Sequence, residues 1–198
     1  MDPYAREFTE TEDGFIWTAS KVLAKYLDEK YRDDNLKGTR ILELGSGLGD
    51  LAIELQAKGA QVTCSDGPWG LANLIKRTRQ TNIKVAQLLW GPDGLSDCEA
   101  ISTNGLLDFD LIIGAELIGD DRFHDDLVWT LEHIVPAGVP FVHAFADRPF
   151  SGFFFAKLSD AGFAVDAVPE FDALGMDPER VAIDWISRRT QPRQPRHN

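Results

Sequence analysis

The chain has 198 residues, 43% of them hydrophobic, which is enough for one sizeable core and hardly two, so a single domain is expected. A formal charge of −12 would repel a long phosphate backbone; it argues against nucleic acid as substrate and favours a basic partner through electrostatic steering. No run approaches about 18 uncharged apolar residues, and residues 1–7 carry neither a basic flank nor an apolar stretch, so the sequence argues against a membrane and reads as soluble and cytoplasmic.

Residues 1–14 are polar and acidic, and Ile16-Trp17-Thr18-Ala19-Ser20 leads into a helix whose Val22, Leu23, Tyr26 and Leu27 form one apolar stripe. Asp33-Asp34-Asn35 to Gly38 closes it, giving an N-terminal helical segment over 1–39 packed on a core that begins at Arg40. The run Ile41-Leu42-Glu43-Leu44-Gly45-Ser46-Gly47-Leu48-Gly49-Asp50 then fuses a buried strand, 40–44, to a glycine turn opening a helix over 48–58. That is the form of a nucleotide-type cofactor site. A dinucleotide fingerprint would need its third glycine where Asp50 stands, and a carboxylate there has the wrong sign for a pyrophosphate. The alternative is a strand-to-helix turn with no ligand.

A strand over 61–65 ends at Asp66, about 20 residues beyond the glycine turn, where α/β cofactor sites place an acid on ribose hydroxyls. Asp66-Gly67-Pro68 also reads as the cap of a helix over 69–81. A strand over 84–90 follows, then a loop over 91–104 with one short helix, and then Phe109-Asp110-Leu111-Ile112-Ile113-Gly114-Ala115, apolar enough for a central strand, ending at Glu116. A helix over 121–135, a strand over 140–146, a helix over 150–161 and two strands over 163–168 and 181–186 complete a core reaching residue 187. Residues 188–198 form a basic Pro- and Gln-containing tail. The alternation predicts an α/β fold: a single doubly wound, mostly parallel seven-stranded sheet with a C-terminal antiparallel hairpin. Cys64 and Cys98 offer no disulfide framework, the four scattered histidines have no zinc-ligand spacing, and no metal is expected. Neither length nor charge sets an oligomeric state.

Glu43 with the three alternating glycines, E-x-G-x-G-x-G, resembles motif I of class I S-adenosylmethionine methyltransferases. The order of motifs from Gly14 to Ile186 resembles the methyltransferase-like non-SET protein-lysine methyltransferases, the group of the calmodulin-lysine and valosin-containing-protein-lysine enzymes. Gly14-Phe15-Ile16-Trp17 is similar to that group's N-terminal segment, Leu88-Leu89-Trp90-Gly91 to its Leu-x-Trp-Gly turn, and the strand ending at Ala115-Glu116 to the stretch leading into its Asp/Glu-x-x-Tyr/Phe motif. The resemblance implies a Rossmann-like fold and S-adenosyl-L-methionine as cofactor. It implies binding by Glu43, Gly45, Gly47 and Gly49, by Asp66 and Gly67, and by Trp17, Trp90 and Ala115, with Trp90 beside the adenine or else capping the core. The acceptor it implies is a lysine on a protein partner with a basic or lysine-bearing surface.

Glu116 is the candidate catalytic residue, an acceptor that orients the amine or relays its proton, with substrate docking and capping of helix 121–135 as its other readings. The motif here is Glu116-Leu117-Ile118-Gly119: the acid is kept and the aromatic is absent. Phe123, Phe150 and Phe153 are candidates for a replacement aromatic wall or for core, and Arg148 for a salt bridge or a functional role. A small-molecule N- or O-methyltransferase and an inactive cofactor-binding scaffold are the competing functions.

Overall fold

A computed structural model describes residues 8–11, 14–32, 36–102, 108–169 and 181–189. Seven strands make one sheet: β3 (Arg40–Leu44), β4 (Gln61–Asp66), β5 (Lys84–Gln87), β6 (Leu111–Ala115), β7 (Phe141–Ala146), β8 (Phe163–Ala167) and β9 (Val181–Arg188). Their order is β5-β4-β3-β6-β7-β9-β8. Every pairing from β5 to β7 is parallel, and β9 runs antiparallel to both β7 and β8. The hairpin expected at the C-terminal side is this β8–β9 pair. Its connecting residues 170–180, and the tail beyond Arg189, lie outside the described residues.

The central strands are buried on both faces and therefore read as continuous apolar runs. Side chains nonetheless sort by period two: Ile41, Ile113, Val142 and Ala144 face one core with α1 (Thr18–Lys30) and α2 (Asp50–Ala57). Leu42, Leu44, Ile112, Phe141 and Phe145 face the other, with α5 (His124–Ile134) and α6 (Ser151–Asp160). Each buried Leu, Ile or Phe contributes about 1.5–3 kcal/mol of transfer free energy. His143, on β7, is fully buried among the rings of Phe141, Phe145 and Phe154. Neither of its ring nitrogens has a hydrogen-bond partner among the described residues.

The structure differs from the sequence reading in four places. Ahead of α1 stands a hairpin, β1 (Phe8–Thr11) with β2 (Gly14–Trp17), which pairs outside the main sheet. The strand expected to reach residue 90 stops at Gln87, because Leu89 donates its N–H to Asp97 and Gly91 donates its N–H to Thr130 Oγ1 instead of continuing the ladder. The helix expected from residue 69 begins at Leu71, as α3 (Leu71–Thr78), because Gly67-Pro68-Trp69-Gly70 closes a turn in which the Gly70 N–H bonds the Gly67 carbonyl at 3.0 Å. Arg188 belongs to β9, with its Nε donating to the Val135 carbonyl at 2.7 Å.

Candidate active site

The sheet order reverses between β3 and β6, the point at which doubly wound folds bind ligands beyond the carboxyl ends of their strands. A cleft of about 340 Å³ opens there. Its floor is the glycine turn after β3. Ser46 donates its N–H to the Ser65 carbonyl at 2.9 Å, its Oγ accepts from the Ser65 N–H at 3.2 Å, and Ser65 Oγ donates to the Glu43 carbonyl at 2.8 Å. The turn is thereby stitched to the end of β4. Gly47 has φ +54°, and a Cβ there would meet nothing within 4 Å, so its exposed face is bare backbone toward the cleft.

Asp66, the last residue of β4, spans this floor. Its Oδ2 accepts from the Gly47 N–H and its Oδ1 from the Gly67 N–H, both at 2.7 Å. Burial pushes the carboxyl up from its usual range, and these two donors oppose that rise. Glu43 is almost wholly buried, with Oε2 accepting from the Cys64 thiol at 3.6 Å, and burial pushes its carboxyl up to about 8. The Cys64 thiol is pushed up as well, by burial and by the Glu43 charge.

The structure brings Trp17, Glu43, Gly45, Gly47, Asp66, Gly67, Trp90, Ala115 and Glu116 to this one cleft. Gly49 is not in the lining. It has φ +76° at the N-cap of α2, and a Cβ there would meet Leu74 Cδ1 at 2.9 Å and Thr78 Cγ2 at 3.2 Å, so it lets α2 pack closely against α3. Gly45 is crowded from the cleft side, since a Cβ would come within 2.7 Å of Leu117 Cδ2 and 3.5 Å of Trp90 Cζ2.

Glu116 does not project as a solvated acid. Its Oε1 accepts from the Ala146 N–H at 2.6 Å and its Oε2 from Arg148 Nη1 at 2.9 Å. The single 3-10 turn, Asp121–Phe123, that leads into α5 is capped by Asp120, which accepts from the Arg122 N–H at 3.1 Å, and α5 itself has no side-chain cap. At Gly119, where the family motif has an aromatic, a Cβ would sit in ordinary contact with Arg148 Nη1 at 3.8 Å and the Glu116 carbonyl at 3.9 Å. Of the three phenylalanines weighed for a wall, Phe123 lines the cleft, Phe150 stands by the His124 ring at 6.3 Å, and Phe153 is exposed elsewhere on α6.

Sequence reasoning missed Trp69, Phe15, Ser46 and Asp126, all of which line the cleft. Trp69 is 75% exposed, and its signal is a large apolar ring in a Gly-Pro-Trp-Gly turn directly after Asp66. Phe15, Trp17, Trp69 and Phe123 together give the cleft an apolar, partly solvent-facing rim. Among the described residues, no group of three His, Cys, Asp or Glu is placed to hold a metal, and no helix is long and apolar enough to cross a membrane.

A parallel sheet that reverses beside a glycine turn and an acid, and that ends in the antiparallel β8–β9 pair, has the class I, Rossmann-like methyltransferase fold. Solved structures share it. The glycopeptide N-methyltransferase MtfA in complex with S-adenosyl-L-methionine superposes with a TM-score of 0.63 over 96% of this chain and 99% of that one, at 13% identity. A TehB-like methyltransferase of Corynebacterium glutamicum superposes at 0.62 over 87% and 89%, at 16% identity. Residues 6–160 match the family model described as lysine methyltransferase, and the chain belongs to that family.

Curated relatives include protein-lysine methyltransferase METTL21E of Bos taurus, 30% identical over 65% of this chain and 45% of that protein. Protein N-lysine methyltransferase METTL21A of Danio rerio is 33% identical over 60% and 54%. Calmodulin-lysine N-methyltransferase of Arabidopsis thaliana is 31% identical over 61% and 40%. The chain thus spans about half the length of the curated relatives it matches.

Proposed function

We propose that this protein transfers a methyl group from S-adenosylmethionine to a lysine side chain on a partner protein with a basic surface. The observation that carries the reading is the convergence, in one cleft at the switch point, of a bare glycine turn, the Asp66 carboxylate bonded to it, and the Glu116 carboxylate on the neighbouring strand end. The family match supports the acceptor class, and the charge of −12 favours a basic partner.

The cavity suits the cofactor: Gly47 leaves backbone open where a side chain would intrude, and Asp66 retains acceptor capacity for two hydroxyls while holding the turn. The cofactor supplies a methyl group on a sulfonium. The chain's own residues have two tasks. The first is alignment, and the second is removal of water from the amine. A lysine near pKa 10.4 is protonated at pH 7, and exposing its lone pair costs about 4–5 kcal/mol. The exposed aromatic rim of Phe15, Trp17, Trp69 and Phe123 would lower that cost once a docked partner covers it and displaces water from the amine.

Calorimetry with S-adenosylhomocysteine, followed by incubation with labelled cofactor and a cell extract, tests the reading. Heat of binding and label in a discrete protein band are expected. Label confined to small molecules would leave a small-molecule methyltransferase, the reading favoured by glycine at position 119 in place of the family's aromatic. No heat at tens of micromolar would remove both.

A further inference from the structure

Glu116 lines the cleft, and Arg148 stands behind it, outside the lining. The pair is nearly sealed from solvent, with side-chain exposures of 4% for Glu116 and 11% for Arg148. Arg148 is itself fixed: its N–H donates to Ser151 Oγ at 3.0 Å and its carbonyl accepts from the Ser151 N–H at 2.9 Å. Glu116 is the single described non-glycine residue with positive φ, at 56°, a backbone conformation maintained only where its surroundings enforce it. The strain, the burial and the ion pair converge on one carboxylate at the cleft wall.

A lone carboxylate at that wall works against methylation of an amine, because it stabilises the ammonium and withholds the lone pair. We infer that Arg148 is a positioning residue that cancels the Glu116 charge from behind, so that the cleft wall at Glu116 does not hold an incoming amine in its protonated form. This inference rests on the lysine reading above.

The other charged groups around the site are acids or occupied elsewhere. Asp147 adjoins Arg148, and Asp184 on β9 is pushed up to about 6 by burial and by Asp147. Asp126, Glu43 and Asp66 line other parts of the cleft. On α5, His124 Nε2 lies 3.2 Å from the Ile118 carbonyl, and on α6 Lys157 is paired with Asp125. Arg148 is the cation that the structure puts on Glu116.

The test is the pH dependence of kcat, from pH 6.5 to 10, on the acceptor purified from the labelled extract, for wild type, R148Q, E116Q and the double variant, each checked for native circular dichroism. Arg148→Gln uncovers the carboxylate and should move the rising limb up by about one pH unit, a tenfold change in the amine's ionisation. Glu116→Gln uncovers the guanidinium and should move it down by a similar amount. With both charges removed, the limb should return close to the wild-type position. If R148Q does not fold, the downward shift of E116Q and its reversal in the double variant carry the same test. A loss of rate that is uniform across pH in an otherwise active variant, or shifts of one sign in both single variants, overturns the inference and leaves Arg148 a structural group. Absence of protein-bound label with wild type at every pH instead removes the lysine reading, and this inference with it.

Discussion

The Asp66 carboxylate and the Gly47 N–H are joined by a 2.7 Å hydrogen bond across the cleft floor, so the acid and the glycine turn form one unit. Asp66→Ala should weaken S-adenosylhomocysteine binding about 10- to 100-fold, through lost contacts to the ligand and through loosening of the turn it holds. Titration calorimetry reads this directly, and affinity equal to wild type would show that the ligand does not use Asp66.

The second and third glycines of this turn should separate experimentally. Gly47→Leu places a side chain into the open cleft at positive φ and should abolish cofactor binding, with about 1–2 kcal/mol of backbone strain. Gly49→Ala drives a Cβ into Leu74 and Thr78 and should lower stability by about 1–3 kcal/mol, while the folded fraction binds cofactor normally. Thermal unfolding combined with calorimetry distinguishes the two, and the opposite pattern would place the ligand on the α3 side.

Trp69 covers the backbone of Gly67, where a Cβ would meet its Cζ2 at 2.7 Å and its Cε2 at 2.9 Å, and most of its ring faces solvent beside the cleft. Cofactor binding should change tryptophan emission, and Trp69→Ala should remove most of that change and cost about 1 kcal/mol of binding free energy through lost ring contact. An unaltered fluorescence response in the variant would assign the signal to Trp17 or Trp90.

Glu43 makes stability depend on pH in a definite sense. Its folded-state value of about 8 lies above the roughly 4.3 of an unfolded chain. The folded form therefore holds its proton more tightly, and the stability it contributes is full below about pH 4 and is lost as the pH rises toward 8. Glu43→Gln should flatten the decline in Tm between about pH 5 and 8. A decline as steep as wild type would mean that other groups cause it.

Much of this architecture could be read locally. Residues 40–50 carry strand, turn and helix within one contiguous signal, and Asp66 follows at a spacing fixed by one helix and one strand. What escaped depends on contacts distant in sequence. Leu88, Leu89 and Trp90 are apolar and extend the pattern of β5; Leu88 still bonds the Asp66 carbonyl, but from Leu89 the chain leaves the sheet because Asp97 and Thr130 take backbone N–H groups at Leu89 and Gly91. Glu116 and Arg148 are 32 residues apart, and no periodicity announces that one will neutralise the other. Gly49 reads as the third member of a ligand loop, and only the position of α3 reveals it as a packing contact. The hairpin of β1 and β2 escaped because four-residue strands outside the main sheet leave too short an alternation to recognise.

Deep in β7, the imidazole of His143 carries its own consequence. Enclosed by phenylalanine rings, it is held neutral, with its ionisation depressed to about 3, whereas the same residue in a disordered chain takes up a proton near pH 6.5. Mild acid therefore feeds protons to the denatured population alone, and the native fraction drains toward it as the solution falls below neutrality. The molecule thus carries an acid-labile centre outside its cofactor cleft, opposed over the same range by Glu43, and the difference in Tm between wild type and His143→Phe from pH 7 down to 5 would register it even in protein that has never met a ligand.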